Sequence, residues 1–185
     1  MPVGGNRFTI MLGRSMFWSM GWQIKGEFPN RSKMIVAVAP HTSNMDFVLA
    51  IAIILGLGLR ASFLVKHSLF KFPLGPIMTA LGGIPVDRTS PQDLVSQMVE
   101  QFDKNPKLVL GITPAGTRSR VNEWKRGFAR IAQAANVPIL PAILDFQSKV
   151  VHFEELIADV RDVDHVMAVM QKLTKTGVPK HPRNE

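Results

Sequence analysis

The sequence predicts an α/β domain, a mixed and largely parallel central sheet flanked by helices, with an N-terminal amphipathic helix rich in apolar and aromatic side chains. Three observations carry that expectation. The chain has 185 residues, 46% of them apolar, which is the length of one domain with a substantial core. Short apolar runs of strand length alternate with stretches of helical periodicity along most of it. Polar side chains gather directly after those runs, and open α/β sheets bind ligands outside the carboxyl ends of their strands.

The elements follow in order. Residues 7–25 carry Phe8, Ile10, Met11, Leu12, Met16, Phe17, Trp18, Met20, Trp22 and Ile24, with Arg7, Arg14 and Lys25 between them. Such a helix either lies in a membrane interface or packs on the domain's own core; its apolar residues cover more of the circumference than one buried stripe needs. Residues 34–39 (MIVAVA) read as a buried strand closed by Pro40, and residues 46–55 as a buried helix. A second strand is expected at 61–65, a short helix at 76–81 behind Gly75, and a third, short strand at 84–86. Ser90 is placed to cap a helix with Pro91 at its first position and Asp93 in its first turn. That helix shows Leu94, Val95, Met98 and Phe102 on one face and stops at Asn105-Pro106. Strands at 107–112, 139–146 and 149–153 and helices at 127–135 and 162–175 complete the set, and the tail 176–185, with Pro179 and Pro182, is expected to fray. The chain thus divides into an N-terminal segment at 1–30, one domain at 31–175 and a tail.

Composition narrows the chemistry. With no cysteine, a disulfide framework, a thiolate zinc site and a cysteine nucleophile are all ruled out. The net charge of +8 is uneven: residues 1–130 hold 16 basic and 7 acidic side chains, whereas residues 131–185 hold 6 and 7. An anionic partner for the first two thirds follows. The basic stretch at 118–130 is accompanied by no helix-turn-helix, zinc or aromatic stacking motif, and tyrosine is absent, so no nucleic-acid partner is expected. No pair of ligands at helical spacing suggests a metal, even counting His41, Asp46 and His67. The longest uncharged apolar run, residues 47–59, has 13 residues against the roughly 20 a spanning helix needs. Gly13 and Arg14 interrupt the N-terminal apolar stretch, which argues against a secretory signal.

Four runs deliver polar residues to one edge of the expected sheet. His41 follows the first strand, Lys66 and His67 the second, Asp87 and Arg88 the third, and Thr117 and Arg118 the strand at 107–112. His41-Thr-Ser-Asn-Met-Asp46 has an H-x4-D spacing. Five positions along a straight helix rotate by about 140°, so the two side chains meet if His41 sits in the loop and the helix starts near Ser43. Asp46 then falls in the first turn, where the helix dipole favours negative charge. From there it accepts an imidazole proton, fixes the tautomer and stabilises the imidazolium, which makes His41 a candidate general base. Residues 82–88 (GGIPVDR) combine a turn with Arg88, an anion fork, and residues 113–120 (TPAGTRSR) lead to Lys125 with Gly116, Thr117 and Arg118 arranged for an anionic ligand.

These blocks, with residues 137–142 (VPILPA) as a fourth, resemble the glycerolipid acyltransferase family that includes the 1-acylglycerol-3-phosphate acyltransferases. The resemblance covers roughly residues 34–145 and rests on the order and separation of all four blocks. It implies a glycerol-3-phosphate acyltransferase-like fold. It also implies transfer of a fatty acyl group from an acyl-CoA or acyl-carrier-protein thioester to the free hydroxyl of a lysophosphatidate-like lysolipid, with the thioester as co-substrate and no other cofactor. His41 would be the base and Asp46 its orienting group; Arg88, Gly116, Thr117 and Arg118 would hold the acceptor phosphate, with Ser43, Asn44, Lys66 and Lys125 as further candidates around them. A peripheral or monotopic position on the cytoplasmic face of a membrane goes with that reading. One residue departs from the family: its third block has Glu where this chain has Ala115. That departure raises a second reading, a catalytically impaired lipid- or acyl-carrier-binding protein on the same fold.

Overall fold

The computed structural model describes residues 1–71, 74–86, 91–114 and 124–181. Helix α1 spans Arg7–Ser19 and strand β1 Gln23–Lys25. They are followed by β2 (Lys33–Ala39), α2 (Asn44–Gly56), β3 (Ala61–Lys66), a short 3-10 helix (His67–Phe70) and α3 (Leu74–Ala80). Next come β4 (Gly83–Val86), α4 (Pro91–Lys104), β5 (Leu108–Ile112), α5 (Gly127–Ala135), β6 (Ile139–Asp145), β7 (Val150–Phe153) and α6 (Val163–Thr174). The seven strands form one sheet in the order β1-β7-β6-β2-β5-β3-β4. Five strands, β6, β2, β5, β3 and β4, run parallel; β7 is antiparallel to β6, and β1 pairs parallel with β7. The sheet is therefore mixed and largely parallel.

Both faces of that sheet are covered, which is why the MIVAVA run is apolar at every position rather than at alternate ones. Ile35 and Ala37 of β2 face one core, with Met98 and Phe102 of α4, Phe128 and Ile131 of α5, and Val166 and Met170 of α6. Met34, Val36 and Val38 face the other, with Leu49 of α2, Trp22, Leu140 and Val151. Because successive strand side chains point to opposite faces, one strand anchors both layers.

Helix α2 is apolar on more than one face because Leu49 packs in the core with Met34, Val109 and Leu140 of the sheet, while α1 lies against the helix as well. The two helices approach through glycine. A Cβ built on Gly13 would lie 2.4 Å from the backbone nitrogen of Gly56, so no other residue fits without driving the helices apart. Arg14 seals the contact by donating from Nε to the carbonyl of Gly56 at 3.1 Å.

Two expectations need correction. Residues 23–25 do not continue the N-terminal helix: Gly21, at φ +75°, turns the chain and Gln23–Lys25 pair with Val150–His152 of β7. A three-residue strand has too few positions to show an alternating pattern, and its partner is far away in sequence. Residues 176–181 are not loose either. Phe146 donates its N–H to the carbonyl of Val178 at 2.8 Å, and His181 donates its N–H to Thr42 Oγ1 at 3.3 Å. Pro179 and Pro182 suggested fraying, whereas two long-range hydrogen bonds tie residues 178 and 181 to the ends of β6 and β2. The proposed cap Ser90 lies outside the described residues.

Candidate active site

The C-terminal end of β2 is where the geometry becomes chemically informative. β2 is flanked by β5 and β6, in register through Ala37↔Ile112 and Ala39↔Ile143, so loops leaving three adjacent strands meet there. The chain leaves β2 through a cis Ala39–Pro40 peptide and reaches His41. Ser43, extended at φ −143°, is the N-cap of α2 and accepts from the Met45 N–H at 3.0 Å through Oγ. Asp46 falls at the third helical position and completes a capping box.

The H-x4-D spacing is thereby explained. One carboxylate oxygen, Asp46 Oδ2, accepts from the N–H of Thr42 and from that of Ser43, each at 2.9 Å, and lies 3.0 Å from His41 Nδ1. A single oxygen thus ties the loop backbone, the helix start and the imidazole together. The Asp46 side chain is 1% exposed and that of His41 14%, so the carboxylate is sealed while the imidazole reaches the surface. His41 Nδ1 is buried with no partner besides that carboxylate, and Asp46 Oδ1 is buried with no hydrogen-bond partner among the described residues. With Nδ1 directed at Asp46, Nε2 is the nitrogen left for a substrate.

The remaining sequence candidates fall around this pair unevenly. Asn44 opens α2 and is exposed. The backbone of Lys66 ends β3 at the same sheet edge, opposite Val86 of β4. Lys125 is exposed, and its N–H donates to the carbonyl of Pro114 at 3.1 Å, which joins the two described ends flanking the third block. Arg88, Ala115, Gly116, Thr117 and Arg118 lie outside the described residues. The neighbouring Asp145, at the end of β6, is pushed up by burial, but hydrogen bonds from Ser148 and Gln147 and the charge of His152 outweigh this and hold its carboxyl below the ordinary value. Among the described residues no group of three or more His, Asp or Glu side chains is arranged to hold a metal ion.

Sequence reasoning missed two residues at this edge. Thr42 is buried and bonded to Asp46, yet a threonine inside a short motif gives no sign of that. Phe47, in the first turn of α2, is a partly exposed aromatic that packs edge-on against Phe63 of β3, with ring centroids 5.3 Å apart. Its place one residue after Asp46 was the available signal.

Comparison with known proteins settles the family. The sequence model of the acyltransferase family matches residues 7–145, which include β2, His41, Asp46 and all four blocks. The chain belongs to the acyltransferase family. A 1-acyl-sn-glycerol-3-phosphate acyltransferase of Limnanthes douglasii is 29% identical over 150 residues, which are 76% of this chain and 51% of that protein. One from Cocos nucifera is 27% identical over 151 residues, 76% of this chain and 47% of that protein. One from Saccharomyces cerevisiae is 29% identical over 138 residues, 70% of this chain and 44% of that protein. The chain spans about half the length of the curated relatives it matches. The crystal structure of PlsC, the 1-acyl-sn-glycerophosphate acyltransferase of Thermotoga maritima, superposes with a TM-score of 0.60 at 19% identity, covering 94% of this chain and 81% of that one. That likeness establishes the acyltransferase fold for the mixed seven-stranded sheet.

Proposed function

We propose that this acyltransferase-family chain moves a fatty acyl group from a thioester, acyl-CoA or acyl carrier protein, to the free hydroxyl of a lysophosphatidate-like lysolipid. The observation that carries the reading is the largely buried base: an imidazole, 14% exposed, whose Nδ1 lies 3.0 Å from a sealed carboxylate, which leaves Nε2 for the acceptor. His41 Nε2 takes the proton of the acceptor hydroxyl as its oxygen attacks the thioester carbonyl carbon. The tetrahedral intermediate collapses, the carbon–sulfur bond breaks, and the imidazolium returns the proton to the departing thiolate. Asp46 stabilises the imidazolium in between. No covalent enzyme intermediate is required, in keeping with a chain that has no cysteine. Arg88, Gly116, Thr117 and Arg118 are assigned to the acceptor phosphate by their match to the family's blocks, and the basic excess of residues 1–130 supports an anionic acceptor.

The test is transfer of a labelled acyl group to lysophosphatidate in detergent, comparing the native chain with Ala115→Glu. Transfer by the native chain is expected and would show the family's Glu to be dispensable. Transfer only after Ala115→Glu, or lysolipid binding with no transfer by either protein, would favour the second reading, a lipid-binding protein on the same fold, which the departure at Ala115 motivates.

The same reading places the protein on a membrane surface through α1. Phe8, Met11, Leu12 and Trp18, the last 82% exposed, lie on the side of α1 turned away from α2. Arg7, at the start of α1, is exposed as well, and basic residues with exposed apolar and aromatic ones are the combination that seats a helix in an anionic interface. Helix α1 also leads to the catalytic edge, since Trp22 just beyond it packs on Phe146, which follows β6, with ring centroids 4.8 Å apart. No helix among the described residues is long and apolar enough to cross a membrane. Replacing Phe8 and Trp18 together by Ser is expected to weaken binding to phosphatidylglycerol vesicles by about tenfold or more, given the apolar area withdrawn. Co-sedimentation with vesicles checks it, and unchanged binding would remove α1 from the interface.

A further inference from the structure

We propose that residues 176–181, the segment after α6, form a brace that positions the His41 loop, so that the candidate site includes a part of the chain distant from all four sequence blocks. The proposal rests on the reading of His41 and Asp46 as the catalytic base pair. The segment falls outside residues 7–145 matched by the family, so the family match does not account for it.

Its path is held at both ends. Helix α6 closes firmly: buried Thr174 donates from Oγ1 to the Met170 carbonyl at 2.9 Å, Thr176 donates from Oγ1 to the Leu173 carbonyl at 2.7 Å, and the Gly177 N–H donates to the Thr174 carbonyl at 3.1 Å. The chain then crosses the C-terminal ends of β6 and β2. A Cβ on Gly177 would lie 2.7 Å from both Ile143 Cγ2 and the Leu144 carbonyl oxygen, and 3.1 Å from Pro40 Cδ, the residue just before His41. The Val178 carbonyl accepts from Phe146 at 2.8 Å. Finally the His181 N–H donates to Thr42 Oγ1 at 3.3 Å.

That last bond enters the catalytic network directly. Thr42 is 4% exposed, and its own N–H donates at 2.9 Å to Asp46 Oδ2, the oxygen 3.0 Å from His41 Nδ1. The brace therefore reaches the imidazole in three steps: His181 backbone to Thr42, Thr42 to Asp46, Asp46 to His41. A shift of about 1 Å in a catalytic group costs on the order of 100-fold in rate, so a contact that only steadies the loop is expected to be worth about tenfold. Its signature is a fall in kcat without a matching change in KM, because His181 acts through the base and not on the acceptor.

Two variants of the whole chain each remove one partner: His181→Pro, which deletes the N–H donor and is read against His181→Ala to subtract the loss of the imidazole, and Thr42→Val, which deletes the acceptor hydroxyl. Each is expected to lower kcat about tenfold, with KM for lysophosphatidate within about twofold and the melting temperature within about 3 °C. The double variant is expected to fall no further, since both changes break one bond. Independently of activity, amide hydrogen exchange at Thr42 and Ser43 is expected to accelerate about tenfold in His181→Pro. Gly177→Val, which forces the segment off Pro40, should accelerate the same amides. Unchanged exchange in both His181→Pro and Gly177→Val, or losses in kcat that multiply in the double variant, would overturn the brace. Accelerated exchange in a protein that shows no transfer would support the brace while refuting the catalytic reading.

Discussion

Replacing His41 by Ala is expected to lower acyl transfer to lysophosphatidate by about 10³-fold, within the range that a positioned general base contributes. The protein should remain folded. The His41 side chain is 14% exposed, meets Asp46 through Nδ1, and Asp46 keeps both of its backbone donors when the imidazole is gone. The loss in unfolding free energy is therefore expected to be about 1–3 kcal/mol, the cost of taking one partner from a buried carboxylate that keeps its two backbone donors. Transfer rates with a labelled thioester, set beside urea unfolding of the same preparations, check both statements. A variant that folds and transfers at the native rate would show that His41 is not the base.

Asp46 is expected to behave differently, because it carries two tasks in one carboxylate. Asp46→Ala should cost about 10³-fold in rate and also destabilise the fold by roughly 3 kcal/mol, since the Thr42 and Ser43 N–H groups would be left buried without an acceptor. In a domain of this size that corresponds to a fall of about 6–12 °C in melting temperature. Asp46→Asn separates the tasks. Its amide oxygen can still receive the two backbone N–H groups, so stability should fall by only about 1 kcal/mol, while the lost charge no longer stabilises an imidazolium and the rate should fall nearly as far as with Ala. If Asp46→Asn retained native activity, Asp46 would be a helix cap and nothing more. The direction of the pair of results, a shared loss of rate with unequal losses of stability, is what a purely structural aspartate would not produce.

The comparison of sequence with structure turns on how far apart cause and consequence lie along the chain. The strand at 34–39 and the helix after it were legible because burial on both faces, or all round, leaves a continuous apolar run that any window of a few residues reveals. The meeting of His41 and Asp46 was legible because loop imidazole, N-cap and third helical position all fall within six residues and obey local helix geometry. By contrast, the division of α1 into a face packed through Gly13 and an outward apolar face was not legible, since both faces are written in the same residue types.

Local order along the chain was thus enough to specify the α/β class, the order of nearly every strand and helix, and the pairing of His41 with Asp46, because helix caps, strand alternation and turn residues act over a few positions. The place of β1 at the sheet's edge depends on pairing with β7, and the contact of residues 176–181 with the His41 loop depends on a hydrogen bond between residues 139 positions apart. The β1–β7 contacts join generic backbone groups that any residue but proline offers, and the His181 contact joins one such N–H to a single hydroxyl, so they leave no mark on composition or periodicity. They exist only once the sheet has assembled and brought the ends of β2 and β6 side by side.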